Sequence, residues 1–149
     1  METLSFPEIL DSDRNRVAKA KLVAEKIRSA GKYAWVGLYD VKEKEISITS
    51  FAGKTEPAFT SFPKDKGLNG RAVMRKQTVI VNDTDEDEDY LLTFTNTKSE
   101  IIVPVFAADR REIVGTIDAE GEIKNAFSEK DTMFLEDCAK MIQPLWSKK

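Results

Sequence analysis

Apolar residues recur along this chain with two periods, and the switches between them mark its elements. Val17, Ala20, Val23, Ala24 and Ile27 lie at helical spacing. They predict a helix capped by Asp11, Ser12 or Asp13 and running to about Ala30, with Gly31 as its stop. Two β-branched and aromatic runs follow, Tyr33 to Val41 and Glu45 to Phe51, joined by Lys42-Glu43-Lys44 as a hairpin turn. Ala52 to Leu68 holds Gly53, Pro57, Pro63 and Gly67 and reads as loop. Gly70 to Lys76 reads as a short helix and Thr78 to Val81 as a buried strand. Two strong strands are expected near Ser99–Ala107 and Arg111–Glu120. A final helix starts at the cap Ser128, carries Glu129 and Asp131 in its first turn, and buries Phe134, Cys138, Met141, Ile142 and Leu145 until Pro144 ends or kinks it. With no repeat or linker, this order predicts one α+β domain over residues 1–149. Its sheet should be mainly antiparallel, with the N- and C-terminal helices sharing one apolar face.

Strand alternation assigns faces. Ala34, Val36 and Leu38 point one way, and Tyr33, Trp35, Gly37 and Tyr39 the other. Ile113, Gly115, Ile117 and Ala119 oppose Glu112, Val114, Thr116, Asp118 and Glu120, while Ile101, Val103 and Val105 alternate with Glu100, Ile102, Pro104 and Phe106. A hairpin around Ala108–Arg110 would pair Val105 with Ile113, Val103 with Gly115 and Ile101 with Ile117. A one-residue slip would set the apolar face against itself. That register puts Glu100 opposite Asp118, with Glu120 a diagonal neighbour. Like charges so placed repel. The cost is met if one carboxyl keeps a proton, if an Arg or Lys reaches in, or if a cationic ligand binds. Alternatively, the trio lies in water at the sheet's open end, near Lys98 or Lys124.

Composition narrows the chemistry. Lys plus Arg total 23 against 26 Asp plus Glu, a net charge of −3, which lacks the basic excess that nucleic acid or an anionic membrane demands. The absence of histidine removes Ser-His and Cys-His nucleophile pairs, imidazole zinc sites and histidine-ligated haem. A single cysteine, Cys138, allows no intrachain disulfide and fits a reducing cytoplasm. On its apolar stripe it reads as a small core residue. Met1 to Leu10 lacks the layout of a signal peptide, and the apolar run Ile101 to Ala108 is too short to span a bilayer. Asp83, Asp85, Asp87 and Asp89 are spaced as in a calcium loop, but Glu88 stands where glycine is needed and Phe94 where the closing Glu belongs. The run therefore reads as a solvated, mobile lid with no metal and no cofactor.

A family resemblance rests on several of these segments together. Ser99-Glu100-Ile101-Ile102-Val103-Pro104-Val105, Ile113 to Glu120, and Phe127-Ser128-Glu129-Lys130-Asp131 resemble the C-terminal half of a GAF domain. Gly67-Leu68-Asn69-Gly70-Arg71-Ala72-Val73 resembles that family's glycine motif. The resemblance implies a GAF-like fold with a ligand pocket, loops and short helices on the sheet face opposite the terminal helices. Within the family, Trp35-Val36-Gly37-Leu38-Tyr39, Gly53-Lys54, Ser99-Glu100 and Asp118-Ala119-Glu120 look most like the free methionine-(R)-sulfoxide reductases. It implies that Trp35 and Tyr39 wall the pocket and that Glu100, Asp118 and Glu120 hold a substrate amino group. The reductases' cysteines are missing: Thr55 to Ser61 has none, Asn69 stands in the glycine motif, and Thr93 stands before Ser-Glu. Sulfoxide reduction needs an attacking thiolate and a resolving thiol. Cyclic-nucleotide GAF domains carry an Asn-Lys pair and Phe, three residues, Asp-Glu; here Thr132 follows Asp131 and Lys124-Asn125 is reversed.

The sequence thus predicts a cytoplasmic small-molecule-binding or sensory domain. Its ligand would be a small amine or amino-acid-like molecule held by Trp35, Tyr39, Glu100, Asp118 and Glu120, with Asn69 and Thr93 lining the site. Two alternatives remain: a divergent reductase using a partner's thiols, and an interaction module that homodimerises through its terminal helices.

Overall fold

The computed structural model describes residues 4–54, 56–88, 90 and 97–146. Among these, β1 (Trp35–Val41), β2 (Glu45–Ala52), β3 (Ser61–Pro63), β4 (Val79–Val81), β5 (Ser99–Phe106) and β6 (Ile113–Gly121) form one sheet in the order β3-β2-β1-β6-β5-β4. Every strand pairing among the described residues is antiparallel. The helices are α1 (Pro7–Leu10), α2 (Arg16–Gly31), α3 (Gly67–Arg75) and α4 (Glu129–Ile142). This is the expected α+β architecture, with β3 appearing inside the stretch read as loop.

The two faces separate as alternation predicts. Ala20, Val23, Ala24 and Ile27 of α2 and Phe134, Leu135, Cys138 and Ile142 of α4 pack on Val36, Leu38, Ile101, Val103, Val105, Ile117 and Ala119. The opposite face carries Leu68 and Ala72 of α3 against Val79, Val81 and Ile102, and a cluster of Trp35, Tyr39, Ile46 and Val73. No helix among the described residues is long and apolar enough to cross a membrane.

Local differences have local causes. The N-terminal helix is capped by Asn15, whose side chain accepts from Ala18 N–H at 2.9 Å, rather than by Asp11, Ser12 or Asp13. Those residues sit between α2 and the separate turn α1, which Pro7 opens and the buried Phe6 anchors. Val17 is exposed, outside the apolar stripe. Tyr33 faces the terminal helices, not the Trp35 face, because the strand starts at Trp35 and alternation does not reach back to it. Its hydroxyl donates to Asp131 at 2.8 Å. Asp131 also closes the capping box with Ser128 that the sequence predicts for α4.

The β5–β6 register is two residues away from the expected one. Val105 pairs with Gly115, Val103 with Ile117 and Ile101 with Ala119. Ala107 N–H bonds Glu112 O at 2.8 Å, and Val114 is the extra residue of a bulge between the pairs Phe106–Ile113 and Val105–Gly115. Arg110 adopts a left-handed conformation (φ 63°) within the turn. Turn and bulge together advance the ladder and keep residues 115–120 on their predicted faces, but the extra residue reverses the start of the strand. Ile113 packs with Trp35 and Tyr39, and Val114 packs on the helix-bearing face, the opposite of the alternation reading.

Candidate functional site

Register places the acidic residues. Glu100 lies directly opposite Glu120, and Asp118 opposite Ile102, with Gly37 facing Asp118 from β1 on the other side. The expected Glu100–Asp118 cross-strand pair is therefore diagonal, and the Glu100–Glu120 diagonal is direct. The cluster survives this exchange: one carboxylate oxygen from each of Glu100, Asp118 and Glu120 lies within 4.8 Å of the other two. All three are 1–3% exposed, so the reading that puts them in water at the sheet's open end is wrong. Lys124 and Lys98 turn to Asp83 (3.2 Å) and Asp85 (3.7 Å) instead.

Neutral side chains donate to two members of the trio. Asn69, on α3, donates from Nδ2 to Asp118 Oδ2 at 3.1 Å, and the Thr116 hydroxyl donates to Asn69 Oδ1. Thr97 donates to Glu120 Oε1 at 2.7 Å, while Thr84 donates to Thr97 O at 3.0 Å. Burial, then the charges of Asp118 and Glu120, hold the Glu100 carboxyl well above the usual carboxylate range. A hydrogen bond between Glu100 and Asp118 and the nearby Asp87 act in the same direction. Burial raises Asp118 to about 6, with the bonds from Glu100 and Asn69 pulling the other way.

The aromatic wall is built from absent side chains as much as from present ones. A Cβ on Gly37 would lie 2.2 Å from the Trp35 ring, and one on Gly53 (φ 153°) would lie 2.3 Å from it. The indole thus fills the space two glycines leave, stacked on Phe51 with centroids 6.0 Å apart. Tyr39 sits 5.8 Å from Phe62 by ring centroids. Burial and then the charges of Asp118, Glu120 and Glu100 raise the Tyr39 phenol, which stays protonated.

Tyr39, Phe59, Phe62, Gly67, Leu68, Asn69, Glu100 and Asp118 enclose a cavity of about 20 Å³. That is the scale of one water molecule. A larger groove of about 660 Å³ runs along β5 beyond the end of β4, between residues 76–78 and the outer side of α4. Its polar lining residues, including Lys76, Arg110 and Lys140, are all at least partly exposed. Pro104 removes an N–H from its strand. The buried, convergent polar groups are at the smaller site.

Of the sequence-predicted residues, the structure gathers Trp35, Tyr39, Asn69, Glu100, Asp118 and Glu120 on one face; Thr93 lies outside the described residues. Thr116 could have been read from the same alternation as Asp118. Thr97 and Asp87 could not, since loops bring them in. Within the acidic run, Thr84–Glu86 forms a 3₁₀ turn, Thr84 is buried, and Arg71 pairs with Asp87 at 2.6 Å. Asp89 and Phe94 of the calcium-loop comparison lie outside the described residues. The trio itself has the hard oxygen donors that suit a cation, an ammonium group or a metal ion.

Comparison with known proteins bears on the family and the fold. The family model for the GAF domain matches residues 20–141. GAF domain-containing protein A of Dictyostelium discoideum is 27% identical over 135 residues, covering 90% of this chain and 83% of that protein. Free methionine-R-sulfoxide reductase of Saccharomyces cerevisiae is 32% identical over 111 residues, 72% of this chain and 60% of the yeast protein. The solved structure of free methionine-R-sulfoxide reductase from Neisseria meningitidis in complex with its substrate matches with a TM-score of 0.81 at 29% identity, covering 95% of this chain and 85% of that one.

Proposed function

This chain belongs to the GAF domain family, and from that premise we propose that it is a small-molecule-binding regulatory protein whose site takes a protonated amine. The observation that carries the reading is the convergence of Glu100, Asp118 and Glu120, buried beside Tyr39 and Asn69. An ammonium group donates three hydrogen bonds and brings the charge such a cluster lacks. Aromatic walls at Trp35 and Tyr39 suit the rest of a small amino-acid-like ligand. The cavity of about 20 Å³ has to widen for such a ligand to enter.

Binding rather than turnover is the better reading of the sulfur chemistry. Cys138 packs in the core of the helix-bearing face, and burial pushes its thiol up to about 12. A thiol so placed is a poor nucleophile at neutral pH. A reductase would have to draw its thiols from a partner.

Thermal unfolding with methionine, methionine sulfoxide, other amino acids, divalent cations and cyclic nucleotides tests the proposal. A ligand at a hundred times its dissociation constant adds about 2.7 kcal/mol. Absence of any shift with every amine, and no difference in Glu100→Gln or Asp118→Asn, would sink it. Thioredoxin-coupled turnover above a no-protein control would favour the reductase reading, and light scattering tests homodimerisation.

A further inference from the structure

We infer that the ligand-free site stores one proton on Glu100, donated to Asp118, and that the Thr116–Asn69 pair decides which carboxyl holds it. The geometry starts at Thr116. A hydroxyl has one proton to give, and here it goes to Asn69 Oδ1. The amide is thereby oriented, so Nδ2 with its hydrogens faces Asp118 Oδ2. An N–H donor favours the ionised acceptor. Asp118 Oδ1 is buried and receives no hydrogen bond from a neutral donor, and a carboxylate oxygen of Glu100 lies within 4.8 Å of one of Asp118. Two carboxyl groups bond each other only if one carries a proton, and the amide has already selected Asp118 as the anion. The proton therefore belongs to Glu100.

The groups around the pair from each packed element fit this assignment. From β1 comes Tyr39, a neutral phenol; from β6, Glu120, an acid bonded by Thr97. From α3 come Asn69 and Arg71, the latter engaged by Asp87, and Asp87 itself adds negative charge near Glu100. Burial and these like charges disfavour ionising both members of the pair.

The consequence for regulation rests on the amine reading above. An entering ammonium replaces the acidic hydrogen of Glu100 as the positive partner of Asp118. The O–H bond of Glu100 breaks, its proton passes to solvent, and the ammonium keeps all of its own. Binding then releases about one proton, and affinity rises with pH.

Two measurements on the full chain test this separately. Infrared spectra of the ligand-free protein at neutral pH should contain the carbonyl band of a buried protonated carboxyl, present in wild type and missing in Glu100→Gln. Asn69→Leu and Thr116→Val should move the pH midpoint of the Asp118 carboxylate band upward, an effect that loss of packing alone does not produce. A natively folded wild type without the protonated band, or midpoints unmoved in both variants, overturns the inference. Calorimetric titration with L-methionine in phosphate and in Tris then counts protons: about one released by wild type and none by Glu100→Gln. Binding without proton release overturns the linkage. If L-methionine does not bind, the ligand reading fails for that amine, and the infrared result still decides where the proton lies.

Discussion

Glu100 and Glu120 face each other directly across β5 and β6, both almost fully buried and on the same side of the sheet. Two ionised carboxylates in that position would repel. The fold keeps them together with Asp118, and that expense is intelligible if the cluster serves a cation rather than stability.

Glu100→Gln should therefore stabilise the ligand-free protein at neutral pH, because Glu100 folds only by taking up a proton that the unfolded chain has lost, a cost of about 1.4 kcal/mol for each pH unit above its unfolded value. Glutamine keeps the shape and offers an N–H to Asp118 without any charge to titrate. The same variant should lose its response to amines. Chemical denaturation and thermal shift, read side by side, check both halves.

Stability should fall as pH rises from acid to neutral. Burial and neighbouring charge hold Glu100 well above the usual carboxylate range, and Asp118 is raised to about 6. Between the unfolded and folded values the native state binds more protons. The contribution of these groups is therefore complete below about pH 4 and is lost as pH climbs through 6 and beyond. Each such proton gives a slope of about 1.4 kcal/mol per pH unit. Urea midpoints across this range should show the decline, and Glu100→Gln should flatten it.

Asn69→Ala should behave in the opposite sense to Glu100→Gln. It strips a buried acceptor, Asp118 Oδ2, of its amide donor and leaves Thr116 without its acceptor. A cost of about 1–3 kcal/mol follows from an unsatisfied buried polar group. A variant as stable as wild type would mean that the chain of bonds from Thr116 to Asp118 contributes nothing.

Gly37→Ala should disturb the aromatic wall. The new methyl would meet the Trp35 ring at 2.2 Å, and Gly53 leaves that ring no slack on its other flank. Overpacking of this kind costs about 1–3 kcal/mol. Trp35 fluorescence should shift with it, since the other tryptophan, Trp146, sits against Gly115. An unchanged spectrum would count against a wedged indole.

Cys138 should be inert in the folded protein. It is about 1% exposed, and its thiol is pushed up to about 12 by burial first and the charge of Asp137 second. A thiol reagent should modify it only after denaturation, and Cys138→Ala should leave any amine response intact. Rapid modification of the native chain would reopen the thiol question.

Much of this was legible from the residue pattern. Period-two alternation alone put Trp35, Tyr39, Glu100, Asp118 and Glu120 on one face, and Ser128 with Asp131 announced the start of α4. Composition removed histidine and paired-thiol chemistry without any structure. The pairing of particular carboxylates was not legible, because a slip of two residues leaves every face unchanged. The choice between registers fell to the bulge at Val114 and to Arg110 in a left-handed conformation that its residue type does not advertise. The donors Thr97 and Asn69, the clamp on Asp87 and the narrowness of the cavity depend on how loops and α3 close over the sheet. Alternation, a local property of an extended backbone, assigns faces within the regular strands and fails only where the backbone leaves that pattern, at Tyr33 and at the bulge beside Ile113 and Val114. Which side chains meet is set by the folded chain, because distances across strands and from loop to sheet depend on segments far apart in sequence.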